Sequence, residues 1–230
     1  MNKTIWIYWA QGIENAPDLV KVCVASWRYY NPNWNIKILN QTNINTMQRV
    51  ATTPSFSDIL RINLLDEHGG LWVDATTFCN KPLDDWLPEY TKEGFFAFRE
   101  PQPEYQLCSW FLYGERNNYI IKSWKQEVDD YWKTRKNAHE YLWFHSLFNK
   151  LYKNDKLVER IWNEVPNYKA NWQPLAESPS NPHYFAPYTT QRLVQLKDNN
   201  LTAPVYKLKW SVSNQLLNNN LIKQLVRNIL

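Results

Sequence analysis

With 230 residues, 44% of them apolar and 21% charged, the chain has the composition of an ordinary globular protein long enough to bury a core. Its formal charge of +4 is scattered along the sequence rather than gathered into a basic run, which argues against a nucleic-acid-binding module. Cys23, Cys79 and Cys108 show no CxxC spacing, so neither a disulfide framework nor a zinc site is indicated, and reduced thiols in a cytoplasmic protein fit.

The opening Met-Asn-Lys-Thr-Ile-Trp lacks the shape of a signal peptide, and no run approaches a membrane span, so the expected location is cytoplasmic. Thr4–Trp9 predicts a first, central strand, with Trp9-Ala-Gln-Gly12 as its loop. Pro17 opens a helix over Asp18–Tyr30, which Asn31-Pro32 stops. A second strand is expected over Trp34–Leu39, followed by a loop with a short helix over 40–50.

The chain is organised around Pro54–Thr76. Ser55 and Asp58 have the S-x-x-D spacing of a capping box, and Phe56, Ile59, Leu60, Leu64 and Leu65 give a helix over 55–68 its apolar side. Gly69-Gly70 supplies a left-handed stop, and a short apolar strand over 71–76 carries Asp74 at its end. Strand–helix–strand alternation indicates a single-domain α/β protein with a parallel sheet and crossover helices. Ligands of such sheets bind beyond the carboxyl ends of the strands.

Pro82–Pro88 is a tight, proline-bounded segment; Gly94–Arg99 and Leu107–Tyr113 are expected as later strands of the same sheet. Helices are expected over Asn118–Trp132 and Glu140–Tyr152. Val165–Tyr188, rich in Pro, Asn and Ser, reads as a long surface loop. A last strand over Val205–Trp210 and an amphipathic helix over Asn214–Leu230 complete the chain, the helix offering a possible peripheral contact with the inner membrane surface.

Thirteen Trp and fourteen Tyr suit a large aromatic core, and they also suit stacking on bases and sugars. Trp9 is open to both readings, with Trp6 the stronger candidate for the core. Asp58 and Arg61 share a helix face, where they serve either capping or a site. Lys207 and Lys209 alternate along one strand face, as solvated charges or as neutralisers of a diphosphate. His139 and His145 are six residues apart and make no helical metal pair; His145 reads as a core or supporting residue. With five glycines and no Gly-rich phosphate loop, a diphosphate would have to be held by a divalent cation, by cationic side chains, or by both.

The motifs S-D-x-L-R, G-G-x-W-x-D-A-T and P-L-D-D-W, in this order, resemble the capsular-polysaccharide-synthesis glycosyltransferases. These are relatives of the DXD sugar transferases of family 32 and of the clostridial glucosylating toxins. The likeness is densest over residues 54–88 and continues more weakly from Ile5 to about Tyr152. It implies a GT-A-like fold, with a Rossmann-like nucleotide-binding sheet and flanking helices. The implied reaction moves a sugar from a nucleotide donor, foremost a UDP-sugar, to a hydroxyl of a surface glycan or lipid-linked oligosaccharide, with retention of configuration.

The resemblance makes Asp58, Arg61 and Asp74 the catalytic set. Around the donor it places Trp9, Gln11, Ser57, Ala75, Thr76, Lys209 and Trp210. Asp84 and Asp85 read from the sequence as a surface turn, and by the resemblance they fall with His145 on the acceptor side; Asp74 becomes the ligand of a weakly held Mn²⁺ or Mg²⁺. Thr76 stands where the motif's second carboxylate would be. Two alternatives are a non-catalytic glycan-binding protein on the same fold and a two-carboxylate hydrolase; no paired carboxylates stand out for the latter.

Overall fold

The computed structural model describes residues 1–44, 53–99, 104–168 and 203–208. Strands β1 (Thr4–Tyr8), β2 (Asn35–Leu39) and β3 (Gly70–Val73) are mutually parallel, with β1 between the other two. Their crossovers are α1 (Asp18–Tyr30) and α2 (Thr53–His68), as the alternation required. After β3 come the short β4 (Thr77–Cys79), helix α3 (Leu87–Tyr90), and strands β5 (Phe95–Arg99) and β6 (Leu107–Gly114). The main sheet has the order β2-β1-β3-β6-β5, so β3 rather than β1 is the middle strand.

The expectation of a parallel sheet fails for β5 and β6. Both run antiparallel to their neighbours, β6 against β3 and β5 against β6. The connection from Arg99 to Leu107 is too short for a crossover helix, so the chain can only turn back on itself. Three helices follow: α4 (Tyr119–Lys133), α5 (Trp143–Asn154) and α6 (Lys156–Glu164). Asn118 caps α4 by accepting from the backbone N–H groups of Ile120 and Ile121, and Asp155 caps α6 by accepting from those of Leu157 and Val158. Helix α6 was not expected from the sequence. The chain returns as β7 (Val205–Lys207), which pairs antiparallel with β4 in a separate two-stranded sheet.

Helix α2 starts two residues before the expected cap. Ser55 is buried inside its first turn rather than standing before it as the cap, and Asp58 pairs with Arg61. The helix ends where expected: the Gly69 N–H donates to Leu65 O, with Gly69 at φ 69° and Gly70 at φ 107°. A Cβ on Gly70 would also lie 2.6 Å from Thr4 O in β1, so only glycine allows β3 to start there. The strand is shorter than expected and stops at Val73, which puts Asp74 just beyond its carboxyl end.

Side chains alternate across β3. On one face Trp27 of α1 lies 6.3 Å from Phe111, the β6 partner of Val73. On the other, the Arg61 guanidinium of α2 lies 5.1 Å over the Trp72 ring. The core between these layers is aromatic, with Trp27, Trp72, Trp124, Trp143 and Trp162 fully buried. Trp6 is only half-buried; its indole N–H donates to Gly69 O and its ring stacks on His68. All three cysteines are buried in the core outside any disulfide, and burial pushes Cys23 and Cys79 up to about 12.

Among the described residues no helix is long and apolar enough to cross a membrane. Most of the expected short helix over 40–50, most of the loop over 165–188, and the expected helix over 214–230 lie outside the described residues, as do Lys209 and Trp210.

Candidate active site

Parallel pairing of β1 and β3 puts their carboxyl ends on one edge of the sheet, so Trp9 and Asp74 emerge together. Antiparallel β6 brings its first residues to that same edge, with Ser109 and Trp110 beside the end of β3. Helix α2 lays Asp58 and Arg61 across it. Between these elements opens a cavity of about 1010 Å³. Its walls include Tyr8, Trp9, Gln11, Ser57, Asp58, Arg61, Asp74, Ala75, Thr76, Ser109, His145 and Lys207.

Arg61 is the hub. Its Nη2 lies 3.0 Å from Asp58 Oδ1 and 3.4 Å from Asp74 Oδ1. Nη1 donates to Ser109 O at 2.7 Å and to Ser109 Oγ at 2.6 Å. Rings from Trp72 and Phe144, the latter 5.6 Å from the guanidinium carbon, cover its flat faces. With only 6% of its side chain exposed, the guanidinium has one orientation, set by β6 and by both aspartates.

The two carboxyls respond differently to this setting. Burial drives Asp58 up to about 7, the pull of Arg61 offsetting only part of that and the charge of Asp74 adding to it. Burial would also raise Asp74, but Arg61, Lys207 and the Trp72 indole together outweigh it and hold this carboxyl below its ordinary range. The Trp72 indole N–H donates to Asp74 Oδ1 at 3.1 Å. At neutral pH the cluster therefore contains one firmly ionised aspartate and one close to its titration point.

Lys207 reaches the cluster from β7. Its Nζ donates to Thr76 Oγ1 and lies 3.7 Å from Asp74 Oδ2. His145 faces the same cavity and is kept neutral: burial first and the charge of Arg61 second lower it to about 4, against the opposing pull of Asp74. Among the described residues neither His145 Nδ1 nor Trp9 Nε1 has a hydrogen-bond partner. Trp9 is half-buried, packed against the core on one side and lining the cavity on the other.

The structure thus brings together Asp58, Arg61, Asp74, Trp9, Gln11, Ser57, Ala75, Thr76 and His145. It keeps Asp84 and Asp85 apart, since neither lines the cavity. Asp84 is held by Lys3 Nζ at 2.8 Å and by the Trp34 indole at 3.0 Å, away from the end of β3. The resemblance places Lys209 rather than Lys207 at the donor; Lys209 lies outside the described residues, and it is Lys207, read from the sequence only as one of two lysines on a strand face, that the β4–β7 pairing brings to the cavity wall. Ser109 and Tyr8 carried no local signal. Both depend on which strands meet at this edge.

A divalent cation at Asp74 would need further oxygen ligands and a net negative surrounding. Here Asp74 Oδ1 faces Trp72 and Arg61, Oδ2 faces Lys207, and the Thr76 hydroxyl accepts from an ammonium. Among the described residues no group of three or more His, Cys, Asp or Glu side chains could hold a metal ion. This donor set does not fit a resident metal site.

The family described as capsular polysaccharide synthesis protein matches residues 1–225 of the chain. The O-glycosyltransferase braB of Annulohypoxylon truncatum is 26% identical over 166 residues, covering 60% of this chain and 39% of that protein. The chain thus spans about two fifths of the length of that curated relative. Two solved structures each superpose with a TM-score of 0.51. The apo-form glycosyltransferase GlyE of Streptococcus pneumoniae TIGR4 is 11% identical, over 99% of this chain and 64% of that one. The glycosyltransferase involved in glycosylation of the major capsid of PBCV-1 is 10% identical, over 96% and 98%. At such identities the superpositions speak to fold, and the fold is the expected GT-A-like α/β architecture.

Proposed function

The chain belongs to the capsular polysaccharide synthesis protein family, and on that premise we propose that it is a nucleotide-sugar-dependent glycosyltransferase. The observation that carries this reading is the Asp58–Arg61–Asp74 cluster at the carboxyl end of β3, opening into a cavity walled by Tyr8 and Trp9. An aromatic face beside a buried guanidinium and two carboxyls suits a base, a diphosphate and sugar hydroxyls in turn.

In this reading Trp9 stacks on the base, with a UDP-sugar as the foremost donor. Asp58 and Arg61 hold the donor sugar's hydroxyls and set its reacting carbon against the acceptor. Asp74 accepts from ribose hydroxyls. Arg61 and Lys207 face the diphosphate, whose negative charge grows as the sugar departs. The acceptor is a hydroxyl of a surface glycan or lipid-linked oligosaccharide, entering on the side of neutral His145. Residues 1–230 act as one catalytic unit in this scheme, in the cytoplasm, and transfer retains anomeric configuration.

The test is incubation with a panel of nucleotide sugars, following release of the nucleoside diphosphate without acceptor and then with oligosaccharide acceptors. Slow donor hydrolysis that a glycan accelerates is the expected result, and the anomeric proton coupling of the product reads the stereochemistry. Glycan binding with no donor turnover at all would leave a binding protein on a transferase fold. Glycan cleavage without nucleotide would instead identify a hydrolase.

A further inference from the structure

We propose that Lys207 is the built-in counter-ion of the donor site, so that this chain binds the diphosphate of its donor without a free divalent cation. The proposal rests on the nucleotide-sugar reading above and deepens it.

Position is the first argument. The Lys207 ammonium donates to Thr76 Oγ1 and to Leu208 O at 3.3 Å, and it lies 3.7 Å from Asp74 Oδ2. It therefore occupies the space between the two side chains that D-A-T sets one residue apart, where an ion bridging them would have to lie. The second argument is rigidity. Strand pairing sets Lys207 opposite Thr77, and the Leu208 N–H donates to Thr76 O at 2.8 Å, so the backbone carrying the lysine is fastened to the backbone carrying Asp74. Only 17% of the Lys207 side chain is exposed, which makes it a placed charge rather than a solvated one.

Charge balance is the third argument. Counting Asp58 and Asp74 as negative and Arg61 and Lys207 as positive, the cluster is neutral, and it becomes positive when Asp58 is protonated. A divalent ion entering here would meet two fixed cations and one carboxylate already engaged by both of them. A diphosphate would meet the opposite: two cations facing a shared opening, with their partner carboxylate already supplied. An ammonium also gives three rotatable donors, so Lys207 can turn from Thr76 to a phosphate oxygen without moving its strand.

Calorimetric titration of the whole chain with UDP, GDP, ADP, CDP and dTDP, each against its own nucleoside, tests this in EDTA and with Mn²⁺ added. At least one diphosphate is expected to bind in EDTA, with Mn²⁺ changing its affinity by less than about threefold. Lys207→Met should weaken that diphosphate by roughly 10- to 100-fold, as for a desolvated charge contact, and leave the nucleoside within about twofold. Lys207→Asp should bind weakly in EDTA and recover with Mn²⁺, because it adds the missing carboxylate next to Asp74. Diphosphate binding that needs Mn²⁺ in the wild-type chain would overturn the Lys207 assignment and leave the nucleotide-sugar reading standing; this arm needs no variant to fold. Unchanged diphosphate affinity in Lys207→Met would overturn it as well. Failure of every nucleotide to bind under either condition would remove both readings together.

Discussion

Asp74 and Asp84 are held by the same kinds of partner. Each faces a lysine ammonium and accepts from a tryptophan indole N–H: Lys207 and Trp72 for Asp74, Lys3 and Trp34 for Asp84. Both carboxyls sit below their ordinary range, Asp84 chiefly through the hydrogen bond from Lys3. What differs is the surrounding. Asp84 and Lys3 are 40% and 46% exposed, so water and salt screen the pair, and exposed pairs of this kind contribute about 0–1 kcal/mol. Asp74 shares its lysine with Thr76, and its Oδ1, which accepts from Trp72, also faces a nearly fully buried arginine at the mouth of a large cavity. Identical partner chemistry makes a surface clasp in one place and a candidate site in the other, and burial with a shared opening separates them.

Removing the hub should widen that contrast most. Arg61→Ala leaves Asp58 and Asp74 without their common cation, and breaking a buried pair in this way costs about 3–5 kcal/mol, readable by urea unfolding. Arg61→Lys keeps the charge but loses the fork that spans two aspartates and Ser109. It should reduce donor turnover by about 100-fold or more while the chain stays folded. Near-normal turnover in Arg61→Lys would reduce the cluster to a structural one, like Asp84.

Substitution at Trp9 should come next. Trp9→Ala is expected to weaken donor binding by roughly 1–3 kcal/mol, the range for base–aromatic stacking, and Trp9→Phe should restore much of it. A thermal-stability loss as large as that of a deleted core Trp, with donor affinity intact, would make Trp9 a packing residue.

The pH dependence of stability carries opposite signs at the two places. Asp58 in the folded chain titrates near about 7, above its ordinary value, so the folded state keeps a proton that the unfolded chain has already lost. Its contribution is therefore lost as pH rises through the interval from about 4 to about 7, with the charges of Arg61 and Asp74 acting on it and His145 beside the same cavity neutral over most of that interval. Asp58→Asn should flatten this slope and raise the melting temperature relative to wild type by a few degrees near pH 8. Asp84, held low, stabilises the folded chain above its unfolded value and loses that contribution as pH falls. A melting-temperature series between about pH 4 and pH 8 reads both, and an unaltered slope in Asp58→Asn would show that another group produces it.

The smallest effect belongs to Asp84→Asn. Stability should change by no more than about 0.5–1 kcal/mol and turnover should not change at all, because the pair is exposed and outside the cavity. A clear loss of transfer with stability intact would move the acceptor side to Asp84 and break the contrast with Asp74.

Several features of the site were legible in the chain because they are local. A three-residue helical spacing puts Asp58 and Arg61 on one face whatever else the protein does. Two glycines must end α2, since their left-handed backbone excludes other residues, and the apolar run after them must be a buried strand that ends near Asp74. Trp9 follows β1 directly, so once β1 and β3 are parallel its place at the same edge follows. The capping box was legible too, and misleading: buried Ser55 shows that a spacing which satisfies a helix start is also compatible with a helix that starts earlier.

Contacts between residues far apart in sequence were decided by tertiary structure alone. That Lys207 reaches Thr76 and Asp74 depends on the pairing of β4 with β7, which joins residues more than a hundred positions apart, and a period of two in the sequence gives a strand face but not its partner. Ser109 reaches Arg61 only because β6 pairs antiparallel beside β3, a pairing of non-consecutive strands that neither strand's pattern sets. Asp74 and Asp84 are both aspartates near tryptophans, and the sequence favours Asp74 only through its place at a strand end and through the resemblance. The dielectric around a carboxylate, though, is set by everything packed about it, so only the assembled fold distinguishes a screened surface pair from a charge at the edge of a cavity.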